Sequence, residues 1–341
     1  MTQHAEKELL EPTLLCDRKG NLNPLAIGYA KKPIITSNLK GHMMRKKKWN
    51  YWCVFGDEIL VSATISHLDY AAVCFVYILE YETQRFFEKT ITLPPFGNRI
   101  KMADQVLQNT TCHDASMKIN MLHAQRETTL SIYVPDFDDE ILDVQLTIAH
   151  PEEDDSLNVV IPWNRQTFQF TAKHHSLPAT GYVKLGDKTY MFEPYESFAV
   201  LDYGRGVWPR SAKWNWGMAS QRLGCHRVGL NLGGSWTDGT GMTENAIFMD
   251  GKMTKIHEDV LFAYDPSNFM KPWHIKTRFS NDVELTFTPF FERVATSDAK
   301  LVSSSVHQLV GYYNGRVKLE NGAFFHIQQL LGTCEEHIAK W

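Results

Sequence analysis

The sequence predicts an all-β, mostly antiparallel protein with little helix, in about two domains. Three observations carry that expectation. Apolar and polar residues alternate at period two in run after run, the mark of a strand with one buried face. Asp-Gly and Asn-Gly dipeptides stand between those runs and favour the tight turns whose twist suits antiparallel pairs. The βαβ rhythm of a parallel sheet is absent, which argues against Rossmann-like and TIM-barrel folds.

The strands follow in chain order. Ile59, Val61, Ala63 and Ile65 share one face. The run 71–81 is continuously apolar, β-branched or aromatic, as in a strand covered on both sides. Leu142, Val144, Leu146 and Ile148 alternate with Asp143, Gln145 and Thr147. Phe168 and Phe170 alternate with Thr167, Gln169 and Thr171, and Val283, Leu285 and Phe287 with Asp282, Glu284 and Thr286. Turns are expected at Gly186-Asp187, Asp250-Gly251, Asn281-Asp282 and Asn321-Gly322. Two short helices are expected, at 37–44 and 334–341. The acidic run 151–155 and the polar run 173–178 mark a boundary region, giving an N-terminal barrel over 13–160 and a C-terminal barrel over 161–341.

Composition excludes several classes of function. With 35 basic and 39 acidic residues the net charge is −4, whereas a general polyanion binder would be clearly basic. The six cysteines are scattered without a CxxC pair, so they read as reduced thiols of a cytoplasmic protein. The chain starts polar, with no signal-peptide pattern. Its longest apolar-rich run, 70–79, is too short to cross a bilayer. No sequence pattern calls for a cofactor, and the oligomeric state is not legible.

The densest unusual stretch is 201–256. It holds Trp208, Trp214, Trp216 and Trp236 among frequent glycines, with Asp202, Arg205, Arg210, His226, Asp238 and Glu244 interspersed. Indole walls, permissive backbone and a few ionisable groups are what a concave ligand site needs. Trp and Gly also serve where barrel strands turn corners, and Asp238 and Glu244 equally suit turn capping. The loop 239–245 lacks the GxxxxGK[ST] pattern, so it is no phosphate loop. Asp202, Asp238 and Glu244 are the candidate acid and base. Arg205 or Arg210 is expected to pair with Asp202 or Asp238. Glu244, walled by indoles, would then be the proton donor, its pKa raised by desolvation.

Other segments carry less. The run 45–52 interleaves cations with Trp49, Tyr51 and Trp52, yet one such run in an acidic chain is a solvated face rather than a nucleic-acid site. His67, Asp69 and Tyr70 follow a strand end within reach of a pocket. His174 and His175 would point to opposite faces of a strand, and Cys112-His113 and Cys225-His226 lack partners at zinc spacing, so no metal site is expected. No GxSxG or SxxK motif is present.

Four segments carry a family resemblance: CDRKGNLNPLAIGYA at 16–30, NLKGHMMRKKKWNYW at 38–52, ISHLDYAAVCFVYILEY at 65–81, and DYGRGVWPRSAKWNWG with GLNLGGSWTDGTGMTENA across 202–246. They resemble the bacterial "domain of unknown function 2804" family over nearly the whole chain. More remotely the chain is similar to the carotenoid hydratase group. That resemblance implies two tandem antiparallel lipocalin-like (calycin-like) β-barrels, and in some relatives cyclase or hydratase chemistry. It assigns no catalytic residue by position, and the polar start departs from the exported members of that group.

The expected function is binding of an apolar or amphipathic small molecule in a Trp-lined pocket near the domain interface. Acid–base hydration, cyclisation or isomerisation would be added by Asp202, Asp238 or Glu244. The alternatives are a non-catalytic lipid or metabolite carrier, and a carbohydrate-active protein.

Overall fold

The computed structural model describes residues 5–94, 99–298 and 302–341. Among these, every regular element is a β-strand except one 3-10 turn, Pro24–Ala26. No helix among the described residues is long and apolar enough to cross a membrane. All but two of the strands form two curled antiparallel half-barrels, and Thr13–Leu14 and Ile35–Thr36 make a separate parallel pair.

The first sheet runs, in spatial order, from Phe86–Leu93 through Ala72–Glu80, Ile59–His67, Lys46–Phe55, Phe198–Val207, Phe168–Leu185, Glu140–Ala149, Glu127–Phe137, Lys118–Ala124 and Thr110–His113 to Ile100–Met102. Its long strand Phe168–Leu185 shifts register between His174 and Leu177. Before the shift it pairs with Leu157–Pro162, after it with Glu140–Ala149 and Lys188–Phe192. The second sheet runs from Lys252–Lys255 through Ala246–Met249, His226–Gly234, Ser211–Leu223, Phe324–Lys340, Ser303–Lys318, Val283–Asp298 and Trp273–Thr277 to Val260–Ala263. A division at 160/161 would cut the first sheet, because Phe168–Leu185 and Phe198–Val207 pair with each other and with strands on either side. The hydrogen-bond ladders put the change of sheet at 208–210.

The four expected turns each join paired strands; Asp250 and Gly251, for example, take φ of 50° and 80° between Ala246–Met249 and Lys252–Lys255. Neither expected helix forms. Residues 334–340 lie in Phe324–Lys340, held on both edges by Ser211–Leu223 and Ser303–Lys318, so sheet pairing overrides the local pattern. In 37–44, Gly41, His42 and Met44 have φ of 66°, 45° and 69°, and such left-handed residues break a helix.

Period two explains the cores. In Lys46–Phe55, Trp52 and Val54 enter the interior of the first sheet, while Tyr51, Cys53 and Phe55 enter a layer between the sheets. The apolar run 71–81 does the same: Cys74, Val76 and Ile78 face inward, Tyr77 and Leu79 face the second sheet. Trp216, Met218, Val310 and Leu331 answer them from the second sheet. That sheet has its own core around Trp273, Leu309, Phe287 and Tyr313. The basic run is spent within the fold. Lys47 is buried with its ammonium on the Leu68 carbonyl, Lys46 pairs with Asp69, and Lys48 with Asp104.

Candidate functional site

Residues of both sheets line a half-open cavity of about 830 Å³. Strand register dictates its walls. Across the first sheet, Lys173, Asp202, Tyr51, Thr64, Phe75 and Thr90 lie opposite one another on successive strands, and all line the cavity. The adjacent row is Thr171, Gly204, Trp49, Ser66, Val73 and Thr92. Gly204 is required there: a Cβ would stand 2.1 Å from the Trp49 indole. Across the second sheet the row is Trp216, Glu335, Gln308 and Arg293. Beside it run Trp214, His337, Val306 and Ala295.

Lys173 is the hub of the ionisable groups. Its ammonium lies 2.9 Å from Asp202 Oδ1, 3.1 Å from Glu244 Oε2 and 4.3 Å from the centre of the Trp216 ring. Burial alone would pull the Lys173 pKa down, but the two carboxylates outweigh it and hold the pKa above the usual lysine value. Asp202 Oδ1 also accepts the Thr171 hydroxyl at 3.2 Å. Glu244 enters from the segment after the Gly-rich turn and packs its carboxyl over Gly233, whose missing side chain leaves the room. Its Oε1 accepts the Trp236 indole N–H at 2.7 Å, and its Oε2 faces the Lys173 ammonium. Burial raises the Glu244 pKa, with Lys173 opposing. Behind it the buried Glu6 carboxylate accepts both the amide and the hydroxyl of Thr243, at 2.7 and 2.9 Å, and pairs with Lys255 at 2.8 Å. That pair anchors the chain at the residue before Glu244.

The opposite wall carries a second buried acid. Glu335 accepts the Trp214 indole N–H at 3.0 Å and the Gln308 amide at 2.9 Å. Burial pushes its pKa up to about 7. Gln308 accepts in turn from Tyr77, which is 3.0 Å from the Tyr51 hydroxyl. Arg293 is matched by Glu88 through two hydrogen bonds of 2.7 and 2.9 Å. His337, its ring tilted against Trp214 with centroids 3.9 Å apart and 2.8 Å from the Ser304 hydroxyl, is held neutral, its pKa lowered to about 3 by burial and then by Arg293.

Indoles close one end. Trp208 is the centre, with ring centroids of Trp163, Trp236, Trp214, Trp49 and Trp341 at 4.8, 5.4, 5.5, 5.8 and 6.1 Å. Its N–H is donated to Gln169 at 2.8 Å. Such pairs contribute about 0.5–1.5 kcal/mol each beyond their buried area, so the wall is preformed.

The structure brings Asp202, Trp208, Trp214, Trp216, Trp236 and Glu244 together around the cavity. Four expected site residues lie elsewhere. Arg205 is wholly buried on the other face of its strand, donating to the carbonyls of Trp49, Gly204 and Ala103 and to Asn50. Arg210 is exposed, outside the cavity lining. His226 pairs with Asp250 at 2.6 Å on the surface. Asp238 caps Ser235 and pairs with Arg278 at 2.7 Å, half-exposed. The expected Arg partner of Asp202 is therefore Lys173. His174 and His175 do take opposite faces: His174 meets His150, and His175 stacks on Phe248. Among the described residues, no three His, Cys, Asp or Glu side chains are arranged to hold a metal ion. Sequence reasoning missed Lys173, Arg293, Glu335 and His337. The available signal was parity: Gln169, Thr171 and Lys173 alternate with Phe168, Phe170 and Ala172.

No curated protein sequence matches the chain. Among solved structures it is similar to kievitone hydratase from Nectria haematococca, with 9% identity and a TM-score of 0.47 over 87% of this chain and 89% of that one. It is also similar to CghA solved with Sch210972, with 9% identity and a TM-score of 0.46 over 91% and 95%. The model of a family described as a domain of unknown function, DUF2804, matches residues 6–341, and the chain belongs to that family.

Proposed function

We propose that the chain binds an apolar or amphipathic small molecule in the cavity between its sheets, and that Glu244, Lys173 and Asp202 add acid–base chemistry of the hydration, cyclisation or isomerisation kind. The observation that carries the reading is the buried Lys173–Asp202–Glu244 cluster opening onto a Trp-walled cavity. A cavity of about 830 Å³ falls within the range of small-molecule sites. Burial keeps a proton on Glu244 to higher pH than a free carboxyl, which suits a general acid. Lys173 steadies the carboxylate left after proton transfer, and the surrounding indole faces favour positive charge developing on the substrate.

The test uses Glu244→Gln, which preserves the acceptor for Trp236. Wild type and variant are incubated with a total small-molecule extract, and mass spectrometry follows what binds and what changes. Binding by both proteins with conversion by wild type alone supports the reading. Equal conversion by both removes Glu244 from it. Binding without conversion by either leaves a carrier.

A further inference from the structure

Among the described residues, the charges around the cavity do not balance: four acids, Glu88, Asp202, Glu244 and Glu335, line it against two bases, Lys173 and Arg293. Arg293 is matched by Glu88. Lys173 is shared between Asp202 and Glu244. Glu335 has only neutral donors, the Trp214 indole and the Gln308 amide, and no ion pair among the described residues. Glu244 Oε2 is buried and shares the Lys173 ammonium with Asp202. Among the described residues, Glu335 thus lacks a cation of its own, and the Trp214 indole, a ring whose face attracts cations, stands beside it.

Resting on the small-molecule reading above, we propose that the natural ligand is an amphipathic cation, a tertiary or quaternary ammonium held between the indoles with Glu335 as its counter-ion. An isolated buried carboxylate is costly, and the cavity can meet that cost with a proton or with a bound cation. The displacement of Glu335 to about 7 is the proton-filled alternative. Lys173 does not repel such a ligand strongly, because Asp202 covers its charge at 2.9 Å. An anionic ligand would meet the surplus of acids instead.

The probes are benzyltrimethylammonium and neopentylbenzene, the same shape with carbon in place of the charged nitrogen. Their affinities are measured at pH 8 through the tryptophan fluorescence of the full chain. The ammonium is expected to bind about tenfold or more tightly than the neutral isostere. Its affinity should fall between pH 8 and pH 5 as Glu335 gains a proton, while that of neopentylbenzene stays flat. The groups facing Glu335 support that sign. Lys173 and Arg293 keep their charge over this range, and His337 stays neutral down to about 3. A proton taken up by Glu244 also weakens the hold on a cation, and Asp202 and Glu88 are matched by Lys173 and Arg293. Glu335→Gln should bring the ammonium down to the level of the isostere without changing the isostere. Should the variant not fold, the pH series on wild type decides. Equal or tighter binding of neopentylbenzene overturns the cationic ligand and leaves the small-molecule reading standing. Failure of both probes to bind overturns both.

Discussion

Lys173 and Asp202 stand directly opposite each other on paired strands, and the ammonium of one lies 2.9 Å from the carboxylate of the other, inside the protein. With Glu244 at 3.1 Å, one cation serves two acids. Lys173→Met should therefore leave two buried carboxyls uncompensated and cost about 3–5 kcal/mol in urea denaturation at pH 8. The loss should shrink as pH falls, because Glu244, whose pKa burial raises, takes up a proton. A loss that does not change with pH would mean that packing of the stem, not charge, is what the lysine supplies.

Glu335 predicts a slope in stability against pH. Its folded pKa of about 7 lies above the ordinary 4.5, so the folded state holds the extra proton between those values. Stability contributed by this group is full below about 4.5 and is lost as pH rises through about 7, by roughly 3 kcal/mol. Glu335→Gln should flatten that part of the profile. An unchanged slope would assign it to another group.

Gly204→Ala tests the register of the cavity wall. The new methyl would meet the Trp49 indole at 2.1 Å, so the ring must move. A loss of about 1–3 kcal/mol and a shift in tryptophan emission are expected. Wild-type stability and emission would show that Trp49 does not lie over this strand.

Asp238→Asn serves as the contrast. The Asp238–Arg278 pair is half-exposed, so the substitution should cost less than about 1 kcal/mol and leave ligand binding intact. Loss of binding would return Asp238 to the site.

The thiols should divide by burial. Cys225 is exposed, while Cys16, Cys53, Cys74, Cys112 and Cys334 are buried. A thiol reagent should find one reactive group in the native protein and all six after unfolding without reductant. Fewer than six after unfolding would reveal a disulfide.

Much of the fold was legible because strands announce themselves locally. Ile59, Val61, Ala63 and Ile65 needed only the period of the backbone, and Asp250-Gly251 only the φ values those residues tolerate. The indole wall was legible too, since Trp208, Trp214, Trp216 and Trp236 crowd one segment. What was not legible came from strands far apart in sequence. Lys173 sits in a polar run that resembles a loop, and only pairing with Phe198–Val207 sets it against Asp202. Glu335 lies in a run that reads as helix until both neighbouring strands claim its backbone. Arg205 shows the opposite error. Strand parity already places it on the face opposite Asp202, but its nearness in sequence drew it into the site.

The most direct measurement is native mass spectrometry of the protein after exposure to a total small-molecule extract, with Thr64→Trp as the partner sample. Thr64 lines the cavity between Tyr51 and Phe75, and an indole there would take up part of it. A bound small molecule is expected on the wild type, and much less of it on Thr64→Trp. A wild type that stays ligand-free, or a bound mass equally abundant on Thr64→Trp, would contradict small-molecule binding in this cavity.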